Sequence, residues 1–180
     1  MKIEEKKFEI DGHMFLLRNA REEEAQMLLD YLKTACGETR YLSKEPEEIK
    51  MTLEEERGFI KSQNESDNNL MLIGFWDGEY VGNCSFMGSD MMRYRHRASM
   101  GIALYQKFTG LGIGKIMVRE LCDIAKNHGF EQMELEVVAD NERAIGLYKK
   151  MGFEIYGTFP RNMKYPDGTY ADAHWMMKLL

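Results

Sequence analysis

The stretch from residue 99 to residue 114 reads SMGIALYQKFTGLGIG and places an apolar strand directly before a glycine-rich turn. An amphipathic helical pattern begins immediately after this turn. Glycines at positions 110, 112 and 114 let the backbone turn sharply, so that successive N–H groups can point at one anion. The dipole of the following helix favours negative charge at the same place. This order predicts a loop that binds the phosphates of a polyanionic cofactor.

The loop differs from two common phosphate-binding motifs. A dinucleotide fingerprint that starts at Gly110 needs a glycine at position 115, which is Lys115. A P-loop needs glycine at position 109 and Ser or Thr after the lysine, but the chain has Thr109 and Ile116 there. What remains is a glycine-rich strand-to-helix junction. Taken alone, such a junction fits a ligand-free tight connection as well as a binding loop.

A second informative segment spans residues 141–153 and reads NERAIGLYKKMGF. Asn141 is a favourable N-cap residue, and Gly152 is suited to end the helix between them. The apolar side chains form one stripe at helical spacing. The stripe consists of Ala144, Ile145, Leu147, Tyr148 and Met151. By periodicity alone, Tyr148 is a residue of the hydrophobic core.

Together, the two segments resemble the signatures of the GNAT superfamily of N-acetyltransferases. The first signature of the family is its acetyl-CoA loop, (Gln/Arg)-x-x-Gly-x-(Gly/Ala). The second signature is Asn-x-x-Ala-x-x-Leu-Tyr, followed by Gly-Phe. Thr109 departs from the first pattern because it removes the usual long polar side chain. The resemblance covers about residues 69 to 178. It implies an α/β (α+β) GNAT fold with a mixed, mostly antiparallel central sheet flanked by helices, in one domain over residues 1–180.

The implied reaction is direct attack of a primary amine on the thioester of acetyl-CoA. Such a reaction needs a group that takes a proton from the amine and one that protonates the leaving thiolate. Tyr148 occupies the family's general-acid position. Glu134 and Glu136 share one face of the preceding strand, and Glu136 precedes Tyr148 at a spacing similar to that in relatives that acetylate protein N-termini. Glu136 is therefore the candidate base, with a water relay as the alternative.

The resemblance also assigns cofactor and acceptor residues by motif position. The strand residues are expected to hold pantetheine, and the loop residues to hold pyrophosphate. The implied cofactor-binding residues are Ile102, Ala103, Leu104, Thr109, Gly110, Leu111, Gly112, Ile113, Gly114, Lys115, Asn141 and Tyr148. The candidates for the acceptor pocket are Glu38, Arg40, Tyr41 and Tyr105.

The C-terminal part, from Tyr148 to Asp172, resembles a bacterial branch that acetylates free amino acids or small amines. The expected acceptor is therefore a small-molecule amine. A protein N-terminus is an alternative acceptor, and a non-catalytic acyl-CoA-binding sensor is an alternative function. Dimerisation is common in the family, so the resemblance leaves a homodimer open beside a monomer.

Composition sets wider limits. A chain of 180 residues with 44% hydrophobic and 30% charged residues is expected to form one domain. Its net charge of −6 argues against nucleic acid as a partner and favours cationic acceptors. The three cysteines are odd in number and scattered, which predicts neither disulfides nor a metal site and fits a reducing cytoplasm. No apolar stretch approaches the ~18 residues of a membrane span.

Local patterns predict the order of the elements. Asp11-Gly12 and Asp77-Gly78 are signals for hairpin turns. The expected helices span about residues 20–34, 52–64, 112–128 and 142–151, and residues 33–51 are expected to be loop plus a helical turn. The expected strands lie within the hairpin of residues 8–18 and at about residues 70–76, 79–88, 93–105, 131–139, 153–159 and 169–178. The strand at 93–105 would place Arg93, Arg95 and Arg97 on one face.

The loop assignment makes one direct prediction. Gly112→Val is expected to abolish binding of acetyl-CoA, because its side chain would occupy the space of a phosphate, while the fold stays largely intact. Titration of acetyl-CoA into the purified variant measures this effect. Unchanged affinity would exclude the loop as the phosphate site.

Overall fold

The computed structural model describes all residues, 1–180, as one mixed sheet with helices on both faces. The strands are β1 (Lys6–Ile10), β2 (His13–Asn19), β3 (Asn69–Trp76), β4 (Glu79–Gly88), β5 (Arg97–Leu104), β6 (Gln132–Val138), β7 (Glu154–Lys164) and β8 (Tyr170–Leu179). The helices are α1 (Ala25–Glu38), α2 (Leu53–Glu65), α3 (Ile113–Asn127) and α4 (Glu142–Lys150). None of these helices combines the length and the apolar character that a membrane span requires.

The sheet order is β1-β2-β3-β4-β5-β6-β8-β7, and only β5 and β6 pair in parallel. The predicted mixed, mostly antiparallel sheet is thereby confirmed. Both predicted hairpin turns are also present. Asp11 and Gly12 have φ angles of 51° and 83°, and Asp77 and Gly78 have φ angles of 48° and 86°. Two consecutive positive φ angles are the geometry of the tight turn that matches the twist of antiparallel strands.

Alternation along β3 divides the core between the two faces of the sheet. Leu70 and Leu72 belong to the larger cluster, which contains the apolar stripe of α3. Met71 and Ile73 point the other way and pack with residues of α1 and α2. The sheet is therefore covered by α1 and α2 on one face and by α3 and α4 on the other.

Three element boundaries differ from the sequence prediction. Helix α1 begins at Ala25 and runs to Glu38, so part of the predicted loop is helical. Strand β5 starts only at Arg97, since its pairing with β4 begins at Ala98 opposite Gly88. Arg93 and Arg95 therefore lie in a turn, and the predicted strand face of three arginines is wrong. Strand β7 continues to Lys164 because an irregularity in its pairing with β8 absorbs extra residues.

The packing at Gly74 allows a test of the sheet. A Cβ at Gly74 would lie 2.8 Å from Phe15 Cε2 and 3.0 Å from Val81 Cγ2, so Gly74→Ala is expected to destabilise the fold by about 1–3 kcal/mol through overpacking. Gly101→Ala is the control in the same sheet, because a Cβ there meets nothing within 4 Å. Chemical denaturation compares the two variants. Equal stability would contradict the close contact between β3 and Phe15.

Candidate active site

Strands β5 and β6 diverge shortly after their pairing begins. They pair only from Arg97–Gln132 to Ser99–Glu134. Beyond this point β5 continues beside β4, and β6 continues beside β8. The carbonyl of His96 accepts from Gln132 N–H on the β6 side, and backbone groups alternate in direction along a strand. The backbone of Ile102 and Leu104 therefore faces the open edge, which suits hydrogen bonding to an extended ligand.

The glycine-rich turn lies between the end of β5 and the start of α3. Gly110 and Gly112 have φ angles of 86° and 84°, which is the left-handed region that favours glycine. The backbone N–H groups of residues 110–114 have no acceptor within the protein. A Cβ on either glycine would meet nothing within 4 Å, so the approach to these donors is open. Five free N–H groups at a helix N-terminus fit the phosphates of acetyl-CoA.

The third glycine of the turn differs from the other two in conformation and packing. Gly114 is helical, and a Cβ there would lie 3.3 Å from Leu147 Cδ2 and 3.9 Å from Leu104 Cδ1. Its small size therefore lets α4 and β5 approach the first turn of α3. Ile113 is fully buried, so only its backbone can reach a ligand in the loop. Leu111 and Lys115 are exposed beside it.

Tyr148 lies on α4 and is 7% exposed. Its ring packs against Phe153 with the centroids 5.9 Å apart. Burial raises the pKa of Tyr148 to about 12. The hydroxyl therefore stays protonated at neutral pH. The side chain belongs to the core cluster, as periodicity predicts, and still carries a proton that it can donate.

Asn141 caps α4, as predicted. Its Oδ1 accepts a hydrogen bond from the N–H of Ala144 at 3.2 Å. This contact uses the amide oxygen and leaves the amide nitrogen as a donor. Asn141 therefore has a structural role, and its contact with the cofactor stays a prediction.

Glu136 lies on β6, just past the point where β5 leaves this strand. Its neighbours Leu135 and Val137 point into the core under α3, so Glu136 faces the side of α1 and α2. Its carboxylate accepts hydrogen bonds from Asn162 Nδ2 at 2.7 Å and from Trp175 Nε1 at 3.0 Å. Both donors are neutral, so the carboxylate is held in position without an ion pair.

Glu134 shares this face but has different partners. Its Oε1 is 3.1 Å from Arg97 Nη1 and also accepts from Gln132 Nε2 at 2.6 Å. The Glu134 carboxylate is therefore engaged in an ion pair, whereas the Glu136 carboxylate has only neutral partners. Of the two carboxylates on this face, Glu136 is therefore better suited to act as a base.

Glu136 also lines a cavity of about 540 Å³ between the segment that joins α1 to α2 and the end of the β7–β8 hairpin. The lining includes carboxylates of Glu45, Glu48 and Glu136, and the ammonium groups of Lys44 and Lys164. Asn162 lies in the same wall and contacts Glu136. This cavity is the best candidate for the acceptor site because it joins the candidate base to groups of both charges.

None of the four predicted acceptor residues lines this cavity. Glu38 accepts a hydrogen bond from the N–H of Gln106 at 2.8 Å, and Tyr105 packs edge-on against Tyr31. Arg40 lies 4.4 Å from the ring centroid of Tyr165, which is a lining residue. Arg40 Nη2 and the Tyr41 hydroxyl contact Asp140 at 3.3 and 3.4 Å. These contacts join the segment after α1 to the rest of the site, and the acceptor role of the four residues stays a prediction.

Sequence reasoning missed three residues. Asn162 and Trp175 hold Glu136, and Arg143 Nη1 donates to Thr109 Oγ1 at 2.7 Å. Trp175 is the register partner of Glu136 across β6 and β8. Only the register of β6 against β8 places Trp175 beside Glu136, and the sequence does not specify that register. Arg143 lies within the second signature, but no local pattern connects it with Thr109.

Comparison with known proteins agrees with this geometry. Residues 26–153 match the model of the acetyltransferase (GNAT) family. The chain is 33% identical to the L-amino acid N-acetyltransferase AaaT of Escherichia coli over 111 residues, which is 60% of this chain and 67% of that protein.

Solved structures show the same fold. An acetyltransferase of the GNAT family from Streptococcus pneumoniae has a TM-score of 0.88 and 29% identity, with 92% of this chain and 99% of that chain covered. A protein from Salmonella typhimurium, solved with its cofactor acetyl-CoA, has a TM-score of 0.80 and 17% identity over 92% and 94% of the two chains. The second similarity concerns the fold alone.

The structure provides a control for Gly112→Val. Because Gly112 has a positive φ, valine there also strains the backbone, by about 1–3 kcal/mol. Gly129→Val introduces the same strain at the other end of α3, where φ is 93° and the added Cβ also meets nothing. We expect both variants to lose similar stability and only Gly112→Val to lose acetyl-CoA binding. Calorimetric titration measures the affinity for acetyl-CoA, and thermal melting measures the stability. Equal losses of affinity in the two variants would show that backbone strain, and not the position of Gly112 in the loop, causes the loss.

Proposed function

Because the chain belongs to the acetyltransferase (GNAT) family, we propose that it moves the acetyl group of acetyl-CoA to the primary amine of a small molecule. The family uses acetyl-CoA as co-substrate. The observation that carries the proposal is the divergence of β5 and β6 beside the glycine-rich turn. Beyond Ser99 and Glu134 the two strands no longer pair, and Tyr148 and Glu136 lie on opposite faces of the sheet.

Bound acetyl-CoA supplies an activated acetyl thioester. The free N–H groups of residues 110–114 bind its phosphates, helped by the positive end of the α3 dipole. The backbone of Ile102 and Leu104 holds the extended pantetheine arm at the open edge of β5. These contacts orient the thioester at the divergence, where an amine can approach it from the α1–α2 side.

Tyr148 is the proposed general acid. Its buried hydroxyl remains protonated because its pKa is raised to about 12, and it donates this proton to the departing sulfur. Glu136 is the proposed base. Its carboxylate accepts a proton from the acceptor's ammonium group, so that a neutral amine attacks the carbonyl. Asn162 and Trp175 orient the carboxylate for this step. As the C–S bond breaks, the new amide nitrogen loses its extra proton to solvent, and the Tyr148 phenolate takes up a proton from solvent.

The proposed acceptor class is a free amino acid or a similarly small amine. The cavity beside Glu136 has carboxylates that attract an ammonium group, and Lys44 and Lys164 can pair with a carboxylate. The relative from Escherichia coli is named for action on L-amino acids. The reduced cysteines, Cys36, Cys84 and Cys122, are compatible with the reducing cytoplasm in which we propose that the enzyme acts.

The first experiment is release of free thiol from acetyl-CoA across amino acids, polyamines and short peptides. We expect amine-dependent release with amino acids. Tyr148→Phe is expected to lower turnover at least about a hundred-fold and to retain acetyl-CoA affinity, because only the transferable proton is removed. In the wild type, ionisation of Tyr148 is expected to lower the rate only as the pH approaches 12. Release with peptides alone would favour a protein N-terminus as acceptor, and binding without release on any amine would favour a sensor.

The role of Glu136 predicts a pH dependence. At low pH the acceptor amine is protonated and needs the base, whereas at high pH free amine is present without it. The rate ratio of wild type to Glu136→Gln is therefore expected to be large near neutral pH and to fall as the pH rises. Glu134→Gln is the control on the same strand face, since Glu134 is paired with Arg97. A ratio that does not change with pH would assign Glu136 to substrate positioning.

A further inference from the structure

Position 109 departs from the family pattern, and the structure shows how its side chain is used. The Thr109 hydroxyl donates to the carbonyl of Gln106 at 2.7 Å, within the turn that precedes the loop. The side chain is short and uncharged, so it cannot supply the long polar group that the pattern has in this place. The free N–H groups of residues 110–114 follow directly.

Arg143 approaches the same position from another element. It lies in the first turn of α4, and its Nη1 donates to the Thr109 hydroxyl at 2.7 Å. No carboxylate is within ion-pair distance of its guanidinium. Its side chain is exposed, and its other N–H groups have no partner in the protein. An unneutralised cation thus lies beside a row of free backbone donors.

We propose that Arg143 binds the pyrophosphate of the cofactor and supplies, from α4, the long polar side chain that position 109 lacks. The proposal rests on the proposed function. A guanidinium can form two parallel hydrogen bonds to phosphate oxygens, and it remains charged at every relevant pH. One of its N–H groups is held by Thr109, which orients the remaining donors at the mouth of the loop.

This assignment gives Thr109 a function. If position 109 were arginine, the positive charge for the pyrophosphate would come from a residue of the loop itself. Here the threonine hydroxyl leaves room for Arg143 and accepts its hydrogen bond. The same helix carries Tyr148 toward its C-terminal end. Phosphate binding by Arg143 therefore also ties the loop to the helix that bears the proposed acid.

The test is a binding measurement with two ligands, CoA and dephospho-CoA, which share the pyrophosphate and differ in the 3′-phosphate. Arg143→Met removes the charge and keeps most of the side-chain length. We expect it to weaken both ligands to a similar extent, by roughly ten- to a hundred-fold, as for loss of a charge-assisted hydrogen bond. Lys150→Met is the control, because it removes one exposed charge from the same helix away from the loop. It is expected to leave both affinities unchanged.

A double variant tests whether a cation at position 109 can replace Arg143. Thr109→Arg combined with Arg143→Met returns the cation to the position of the family pattern, and we expect it to restore most of the lost affinity. Calorimetry reports the affinities, and thermal melting checks that each variant is folded.

Two results would overturn the assignment. One is Arg143→Met with wild-type affinity for both ligands, and the other is a loss limited to CoA, which would place Arg143 on the 3′-phosphate. A wild-type protein that binds neither ligand would instead contradict the proposed function. The experiment therefore distinguishes an error in the role of Arg143 from an error in the proposed function.

Discussion

The early end of the β5–β6 pairing is the constraint on which the site depends. These strands form the sheet's only parallel pair, and they stay together for three register pairs before β5 follows β4 and β6 follows β8. Backbone groups in a closed sheet are satisfied by their neighbours and cannot bind a ligand. The divergence leaves such groups at Ile102 and Leu104 exposed on one edge. Beyond this position no register pair joins β5 to β6.

The two faces then provide different chemical environments. Tyr148 lies in the apolar layer between the sheet and α4, where burial disfavours its ionised form and keeps the proton on the hydroxyl. Glu136 lies on the other face, is exposed, and accepts hydrogen bonds from Asn162 and Trp175. The proposed proton donor and the proposed proton acceptor thus lie on opposite faces of the sheet. In the proposed reaction, the thiolate receives its proton on one face of the sheet and the amine loses its proton on the other.

The glycine-rich turn shows that a single motif can serve two physical needs. Gly110 and Gly112 are required for backbone conformation, since both have positive φ angles. Gly114 serves packing, because a Cβ there would lie only 3.3 Å from Leu147 Cδ2 of α4. The same closeness of α3 and α4 brings Arg143 to Thr109. The proposed phosphate loop and the helix that carries the proposed acid are therefore joined by these contacts.

The sequence by itself determined the features that are encoded within a few residues: the hairpin turns at Asp11-Gly12 and Asp77-Gly78, the capped helix α4, and the glycine-rich turn before α3. Turn geometry, capping and hydrophobic periodicity act over such short distances. Only the tertiary structure decided where β5 parts from β6, which neutral donors hold Glu136, and which cation reaches Thr109. These features depend on strand register and helix packing between segments far apart in the chain, which no local pattern specifies.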